Sequence, residues 1–362
     1  VAIVRSALVI GTGLIGTSAA LALSGQGVTV YLRDIDPAAA RTAAALGAGT
    51  LDAPSDAVDL AIVAVSPALV GNVLAAAQAE GAARHYTDVA SVKAEPQHEA
   101  IALECDTSRY IGGHPMAGAE RNGPLAARAD LFEGCTWVLA PTSDTETETL
   151  NTALELVALC GAVPVVMNAA AHDRGVALVS HMPHVMASLV AARLDAAEDR
   201  ALSLAGPGVR DVTRIAAAEP ALWLAILSAN ALVVADLLEE VAADLGSAIA
   251  GLREMASTDE SKRREGRSTV ENLLATGRSG RTRISGKHGA RTAPYEVVAV
   301  RIGDEAGELA KLLTCAGQVG VNIEDVHIDH SDGRGDGLAH LSVTQGSANT
   351  LREAFAARGW QL

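Results

Sequence analysis

Aromatic side chains are scarce in this chain: two Phe, three Trp and four Tyr among 362 residues, so a core must be built of Ala, Val, Leu and Ile. Cysteine is nearly as rare. Cys105, Cys135, Cys160 and Cys315 lie far apart and form no C-x-x-C, which argues against a disulfide framework or zinc ribbon and fits a reducing cytosol. Cations fall short of acids, 28 against 43, and the net charge of −15 argues against nucleic acid as the main partner, because phosphate binding needs a basic surface. No run reaches the roughly eighteen uninterrupted apolar residues of a membrane span. Residues 7–10 run straight into a glycine loop, so no signal peptide is expected there. These absences point to a soluble, cytoplasmic protein without a membrane or nucleic-acid partner.

With 49% hydrophobic and 20% charged residues, the chain should fold into two or three packed domains. Ala7 to Ile10 reads as a buried parallel strand and ends in Gly11-x-Gly13-x-x-Gly16, with Leu14 and Ile15 between the glycines and an Ala-rich helix after them. Such glycines allow a tight turn, close approach to a pyrophosphate and close helix–strand packing, with the helix N-terminus facing the phosphates. A second strand, Val28 to Leu32, leads to Asp34, eighteen residues after Gly16, where a carboxylate binds both hydroxyls of an adenosine ribose. Asp34 would repel a 2′-phosphate, so NAD is expected over NADP, although Arg33 beside it pulls the other way.

Short apolar strands recur at Leu60–Val65, His85–Val89, Arg109–Ile111, Trp137–Leu139 and Val163–Met167, with helical segments such as Ala68–Ala79 between several of them. The expected fold class is α/β, a Rossmann-type doubly wound sheet over residues 1–165. Such a sheet places its site at the carboxyl ends of its strands. Ser66, Ser91 and Lys93 fall there, and so does G-G-H-P-M-A-G, residues 112–118. His114, between glycines that let the backbone approach a ligand and a proline that stiffens the chain, is suited to take a proton near neutrality. The plainer alternative is a buried histidine that bonds a turn.

From 166 to 277 the pattern is all-helical. His172, His181 and His184 occur there, but no third ligand has familiar metal spacing and no H-E-x-x-H is present, so no metal is expected. Pro183 should break or kink the helix and re-aim His184. Arg214 is either a surface residue or a binder of a small dianion, because guanidinium holds carboxylate bidentately. Leu227, Ala231, Val234, Leu238, Val241, Leu245, Ile249 and Leu252 make a stripe long enough to suggest a helix shared with a second subunit. Residues 262–291 hold nine Lys/Arg against two acids, Glu265 and Glu271, and their Gly/Ser-rich end reads as a linker over 278–293. The tail, 294–362, reads as a βαββαβ, ferredoxin-like domain.

Taken together, S-V-K (91–93), G-G-H-P-M-A-G-x-E (112–120), H-D (172–173), S-H-M-P-H (180–184) and D-V-T-R-I-A (211–216) resemble the prephenate/arogenate dehydrogenase family, nearly end to end. The tail, with D-E-A-G-E-L (304–309) and G-V-N-I (320–323), resembles an ACT domain. The resemblance implies NAD-dependent oxidative decarboxylation of prephenate to 4-hydroxyphenylpyruvate, with arogenate as the alternative substrate, in a homodimer that responds to tyrosine. It implies that His114 is the base and that Ser91 bonds that histidine or the ring hydroxyl. Arg214 would take a carboxylate, while His172, His184 and Lys93 line the pocket. Glu120 would belong to a gate, Trp223 would reach the partner's site, and Asp304, Gly307 and Asn322 would hold the effector. Ala119 departs from the family, where threonine can precede that glutamate. Two rival readings are a non-catalytic NAD and amino-acid sensor, and a β-hydroxyacid dehydrogenase, which would need a helical catalytic lysine that is not evident here.

Overall fold

A computed structural model describes residues 4–118, 122–284, 295–303, 305–330 and 336–362. The chain divides into two compact units, Val1–Ala243 and Asp244–Leu362, with the boundary inside a helix rather than at either expected domain junction.

The first unit opens with β1 (Ser6–Ile10), α1 (Leu14–Gly25), β2 (Thr29–Arg33), α2 (Pro37–Ala45), β3 (Val58–Val63), α3 (Val70–Ala79), β4 (Ala83–Asp88), α4 (Ala94–Ala102) and β5 (Tyr110–Pro115). β6 (Thr136–Pro141), α5 (Thr147–Leu159) and β7 (Val163–Val166) complete the sheet. Its order is β2-β1-β3-β4-β5-β6-β7, parallel except where β6 runs antiparallel to β5. The strand order reverses beside β1, and the ligand crevice of an open α/β sheet forms at such a switch point. Short apolar strands buried on both faces need cover on both faces. Leu14, Leu23, Leu156 and Val157 of α1 and α5 supply one side; Leu74, Ala77 and Ala100 of α3 and α4 supply the other. This is the doubly wound sheet expected from the sequence.

Next come α6 (Ala169–Val176), a π turn (Ala177–His181) and α7 (Met182–Asp195). The helix is not broken at Pro183. The π turn precedes the proline, which sits in the first turn of α7, where its missing N–H costs little. The run Ala169–Asp195 has the length and mean apolarity of a membrane span, which a search for uninterrupted apolar residues misses because Asp173, Arg174 and Arg193 interrupt it. Its inward side chains include His172, Asp173, His181 and His184, all buried.

The unit continues through α8 (Asp199–Leu202), α9 (Pro207–Thr213), a 3-10 turn (Arg214–Ala217), α10 (Pro220–Ala229) and the start of α11 (Ala231–Met255). The apolar stripe expected on one helix is divided, because Leu227 lies in α10 and the chain bends at Asn230 before α11 begins.

In the second unit, the end of α11 meets α12 (Glu260–Thr282) at two glycines: a Cβ on Gly266 would lie 2.4 Å from the Gly251 carbonyl oxygen. The linker expected over 278–293 overlaps α12, which runs through Gly277 and Gly280 to Thr282. Glycine weakens a helix by only about 1 kcal/mol and stops it only where the backbone turns left-handed. Asp259 caps this helix by accepting from Ser261 N, and Glu260 pairs with Arg264 one turn on. Residues 285–294 lie outside the described residues. Then β8 (Tyr295–Gly303), α13 (Glu308–Gln318), β9 (Ile323–His330), β10 (Asp336–Thr344) and α14 (Ala348–Ala357) form a sheet in the order β8-β10-β9 with a core of Val298, Val300, Leu312, Leu341, Leu351 and Phe355. This is the ferredoxin-like pattern, with its last strand reduced to one bond from Arg301 N to Gln361 O, 2.9 Å. The four cysteines are unpaired, and burial pushes the Cys160 thiol up to about 12.

Candidate active site

The glycine loop is fitted closely on one side and open on the other. Gly11 has φ +104°, and a Cβ there would lie 2.2 Å from the Ala64 carbonyl oxygen; a Cβ on Gly16 would lie 1.9 Å from the Gly11 carbonyl oxygen. Around Gly13, the residue before α1, nothing lies within 4 Å of an added Cβ, and no side chain caps the helix. The N–H groups of Leu14, Ile15 and Gly16 therefore begin a helix with room in front of them, which suits a pyrophosphate. After β2, Asp34 accepts from Thr12 N (2.5 Å), Thr12 Oγ1 (2.8 Å) and Asp36 N (2.8 Å). Burial raises its pKa, but these bonds outweigh that and leave it lowered, so the carboxylate stays charged. Arg33 turns to Glu80 at 2.7 Å, a partner of opposite charge that competes with a 2′-phosphate. Ser66 is exposed in the turn after β3. The residues present fit a dinucleotide without a 2′-phosphate.

At the carboxyl end of β5 stands His114. Gly112 and Gly113 before it make room for the protein's own chain rather than for a ligand: a Cβ on Gly113 would lie 2.4 Å from the Asp88 carbonyl oxygen, and one on Gly112 3.0 Å from Lys93 Cδ. Lys93, expected in the substrate pocket, is wholly buried, and its ammonium donates to the Asp88 carboxylate and the Gly113 carbonyl. The other Asp88 oxygen accepts from Tyr110 Oη at 2.7 Å. Lys93 thus meets the site through the backbone beside His114 and through its charge.

The His114 ring bonds to another histidine: Nδ1 lies 2.8 Å from His172 Nε2, and His172 Nδ1 lies 2.7 Å from Asp173 Oδ1. Both ring nitrogens of His172 are thereby occupied. Asp173 also accepts from Lys93 N and Ala94 N, each at 2.8 Å, at the start of α4. Its backbone carbonyl accepts from Asn230 Nδ2 (2.8 Å), which lies 3.2 Å from His181 Nδ1. Burial raises the Asp173 pKa, yet the bonds from His172, Ala94 and Lys93 prevail and hold it lowered. The His114 pKa is held well below the ordinary histidine value by burial first and then by the Lys93 charge. The ring is therefore neutral. Ser91 lies partly buried in the loop after β4 and makes no bond to this ring among the described residues.

His184 is buried, and Trp223 of the same chain stacks on it with ring centroids 3.6 Å apart. Both line an apolar hollow of about 570 Å³ with Ser188, Ala216, Leu224 and Leu227. Arg214 is exposed on the 3-10 turn two residues before Ala216, and no bond joins it to His114. Glu120 and Asp304 lie outside the described residues. Gly307 precedes α13 with φ +95° and no side-chain cap, and Asn322 donates to Glu324 Oε1 at 2.7 Å. Among the described residues no group of three metal-ligating side chains exists. Sequence reasoning quoted Asp173 within the H-D motif without giving it a role, and missed Asn230. Asp173 was legible only as a neighbour of His172, and Asn230 only as an amide in an apolar run.

A glycine loop at the switch point, a carboxylate after β2 and a neutral histidine at the end of β5 define a dinucleotide-dependent dehydrogenase. Residues 18–166 match the family model of the prephenate dehydrogenase nucleotide-binding domain, and residues 168–263 that of the prephenate dehydrogenase dimerization domain. The chain belongs to the prephenate dehydrogenase family. It is 42% identical to "Probable prephenate dehydrogenase NovF" of Streptomyces niveus over 358 residues, 98% of this chain and 99% of the relative. Its fold is similar to that of Aquifex aeolicus prephenate dehydrogenase solved with hydroxyphenyl propionate and NAD+, with TM-score 0.64 and 26% identity over 76% of this chain and 97% of that one. Synechocystis arogenate dehydrogenase is alike in fold, with TM-score 0.65 and 24% identity over 76% of this chain and 98% of that one.

Proposed function

We propose that the chain catalyses the NAD-dependent oxidative decarboxylation of prephenate to 4-hydroxyphenylpyruvate. The observation behind this reading is the neutral His114 ring at the carboxyl end of β5, on the sheet edge that also carries the glycine loop and Asp34. The kinship with prephenate dehydrogenases supports the substrate. NAD+, when bound, supplies the hydride acceptor, held by the loop from Gly11 to Gly16 and by Asp34. His114 takes the hydroxyl proton as that carbon becomes a carbonyl. Loss of carbon dioxide then leaves a phenolate, and His114 returns the proton to it. One hydride and one carbon dioxide leave the substrate and the proton stays, so the base ends each turnover as it began, without a path to solvent. Aromatisation drives the decarboxylation, which leaves orientation and one proton to the protein.

Arg214 is the residue we assign to a substrate carboxylate, Ser91 to the ring hydroxyl, and His184 and Trp223 to the wall of the hollow. We infer a homodimer through the helices of residues 168–263, supported by the family's dimerization domain and by exposed Leu178, Val179, Leu189, Leu204, Leu224 and Leu232. The tail is assigned as an ACT-like effector module for tyrosine, supported by its strand order and by the uncapped turn at Gly307. Four free cysteines accord with a cytoplasmic enzyme. Assay of NADH and carbon dioxide with prephenate and with arogenate tests the function. Both products should form from prephenate at a kcat/KM above that for arogenate, and the reverse order would assign the amino-bearing substrate instead.

A further inference from the structure

We propose that Asp173 and His172 act as positioning residues that fix the tautomer of His114, making Nε2 its proton acceptor, and that they stabilise the ring once it is protonated. The inference rests on the reading of His114 as the base and assigns the atom that does the work. It follows from counting donors and acceptors along a buried chain.

Asp173 receives three N–H bonds, from Lys93 N, Ala94 N and the His172 ring. A carboxylate that collects donors in this way stays ionised and can only accept. His172 must therefore carry its proton on Nδ1, facing Asp173 at 2.7 Å. A neutral imidazole has one N–H, so His172 Nε2 holds a lone pair. The atom 2.8 Å from that lone pair is His114 Nδ1, and it must be the donor. His114 Nε2 then has no proton, and this is the remaining position from which the ring can take one. Reversing the His114 tautomer would set two lone pairs against each other at 2.8 Å. A histidine is committed to one tautomer by the bond its other nitrogen makes.

The same chain acts after proton transfer. His114 then carries a positive charge that the Lys93 ammonium opposes. Its Nδ1–H points along His172 to the Asp173 carboxylate, which offsets part of that opposition. Glu95, at the start of α4, is the further acid that interacts with Asp173; burial first, then the charges of Glu99 and Asp173, raise its pKa. Asn230 and the two backbone N–H groups hold Asp173 in place, so the chain is anchored to both α4 and the Asn230 bend before α11. His172 keeps no ring nitrogen for substrate, which separates this role from a pocket-lining one.

The test is nitrogen-15 NMR of histidine-labelled full-length protein near neutral pH without substrate, with the His114 signals assigned by their absence from His114→Asn. We expect Nδ1 protonated and Nε2 bare in His114. An Nε2-protonated His114 would overturn the proposal, whatever the substrate proves to be, so this readout is independent of the assigned reaction. Asp173→Asn removes the anion and leaves one amide oxygen where two carboxylate oxygens accept three N–H bonds. It should loosen the hold on the tautomer, so that Nε2-protonated His114 becomes detectable, and lower kcat by about 10²–10⁴-fold, with KM and the Kd for NAD+ changed by no more than a few fold. An Asp173→Asn protein that keeps both the native tautomer and the native kcat would also overturn it. If that variant fails to fold, the wild-type spectrum alone decides.

Discussion

At the scale of single residues, the site is organised by groups kept neutral or charged through burial. His114 is held well below the ordinary histidine value by burial and then by the Lys93 charge, while burial lowers His181 and His184. In the unfolded chain each titrates near about 6.5. Their folded values are depressed, so the stability they contribute is complete above that pH and is lost as pH falls from it toward the folded values. Urea unfolding should therefore give a stability that declines below about pH 6.5, and the acid limb of kcat/KM should lie below that value too. An acid limb at or above it would contradict a buried, neutral base. Lys93 makes a different prediction. Lys93→Met leaves the Asp88 carboxylate buried beside Tyr110 without its cation, and should cost about 3–5 kcal/mol of unfolding free energy. A variant as stable as the parent would show that the buried ion pair is not holding β5 to β4. Arg214→Ala should raise the KM for prephenate about tenfold or more, the loss of a charge-assisted bond of about 1.5–3 kcal/mol, and leave the Kd for NAD+ alone. An unchanged KM would return Arg214 to the surface.

Among elements, what the sequence revealed and what it hid have separate causes. β1, the glycine loop and Asp34 were legible because a strand, a turn and a carboxylate at fixed spacing have one physical use, and Gly11 and Gly16 show the close backbone packing that this spacing implies. Gly16→Ala would place a methyl 1.9 Å from the Gly11 carbonyl oxygen, so the loop must open and NAD+ binding should fall below detection in a fluorescence titration. The glycines of α12 misled for the converse reason. Composition marks Gly277 and Gly280 as linker-like, but a helix with a cap and a paired first turn continues through them. Gly266 was not legible at all, since only the crossing with Gly251 gives it a purpose. The break at Asn230 hid as well, because a period-matched apolar stripe continues across it while the backbone does not. Lys93 and His172 were named as pocket residues from their place in motifs. Motif position fixes the neighbourhood of a side chain, not the direction in which it points, and both turn inward.

For the whole molecule, the exposed apolar side chains of the helical region and the βαββα tail make two predictions. Sedimentation at micromolar concentration should give a dimer; a monomer would leave Leu204 and Leu232, exposed by 84% and 83%, without a purpose. Removal of residues 293–362 should abolish tyrosine inhibition and spare basal turnover. Full inhibition of the shortened chain would place tyrosine at the catalytic pocket instead. Both predictions depend on the chain being the enzyme assigned here, and that is decided by steady-state NADH formation from prephenate in the parent and in His114→Asn. Turnover should fall by about 10²–10⁴-fold in the variant while NAD+ binds as before. Near-normal turnover by His114→Asn, or none by the parent, would contradict the assignment.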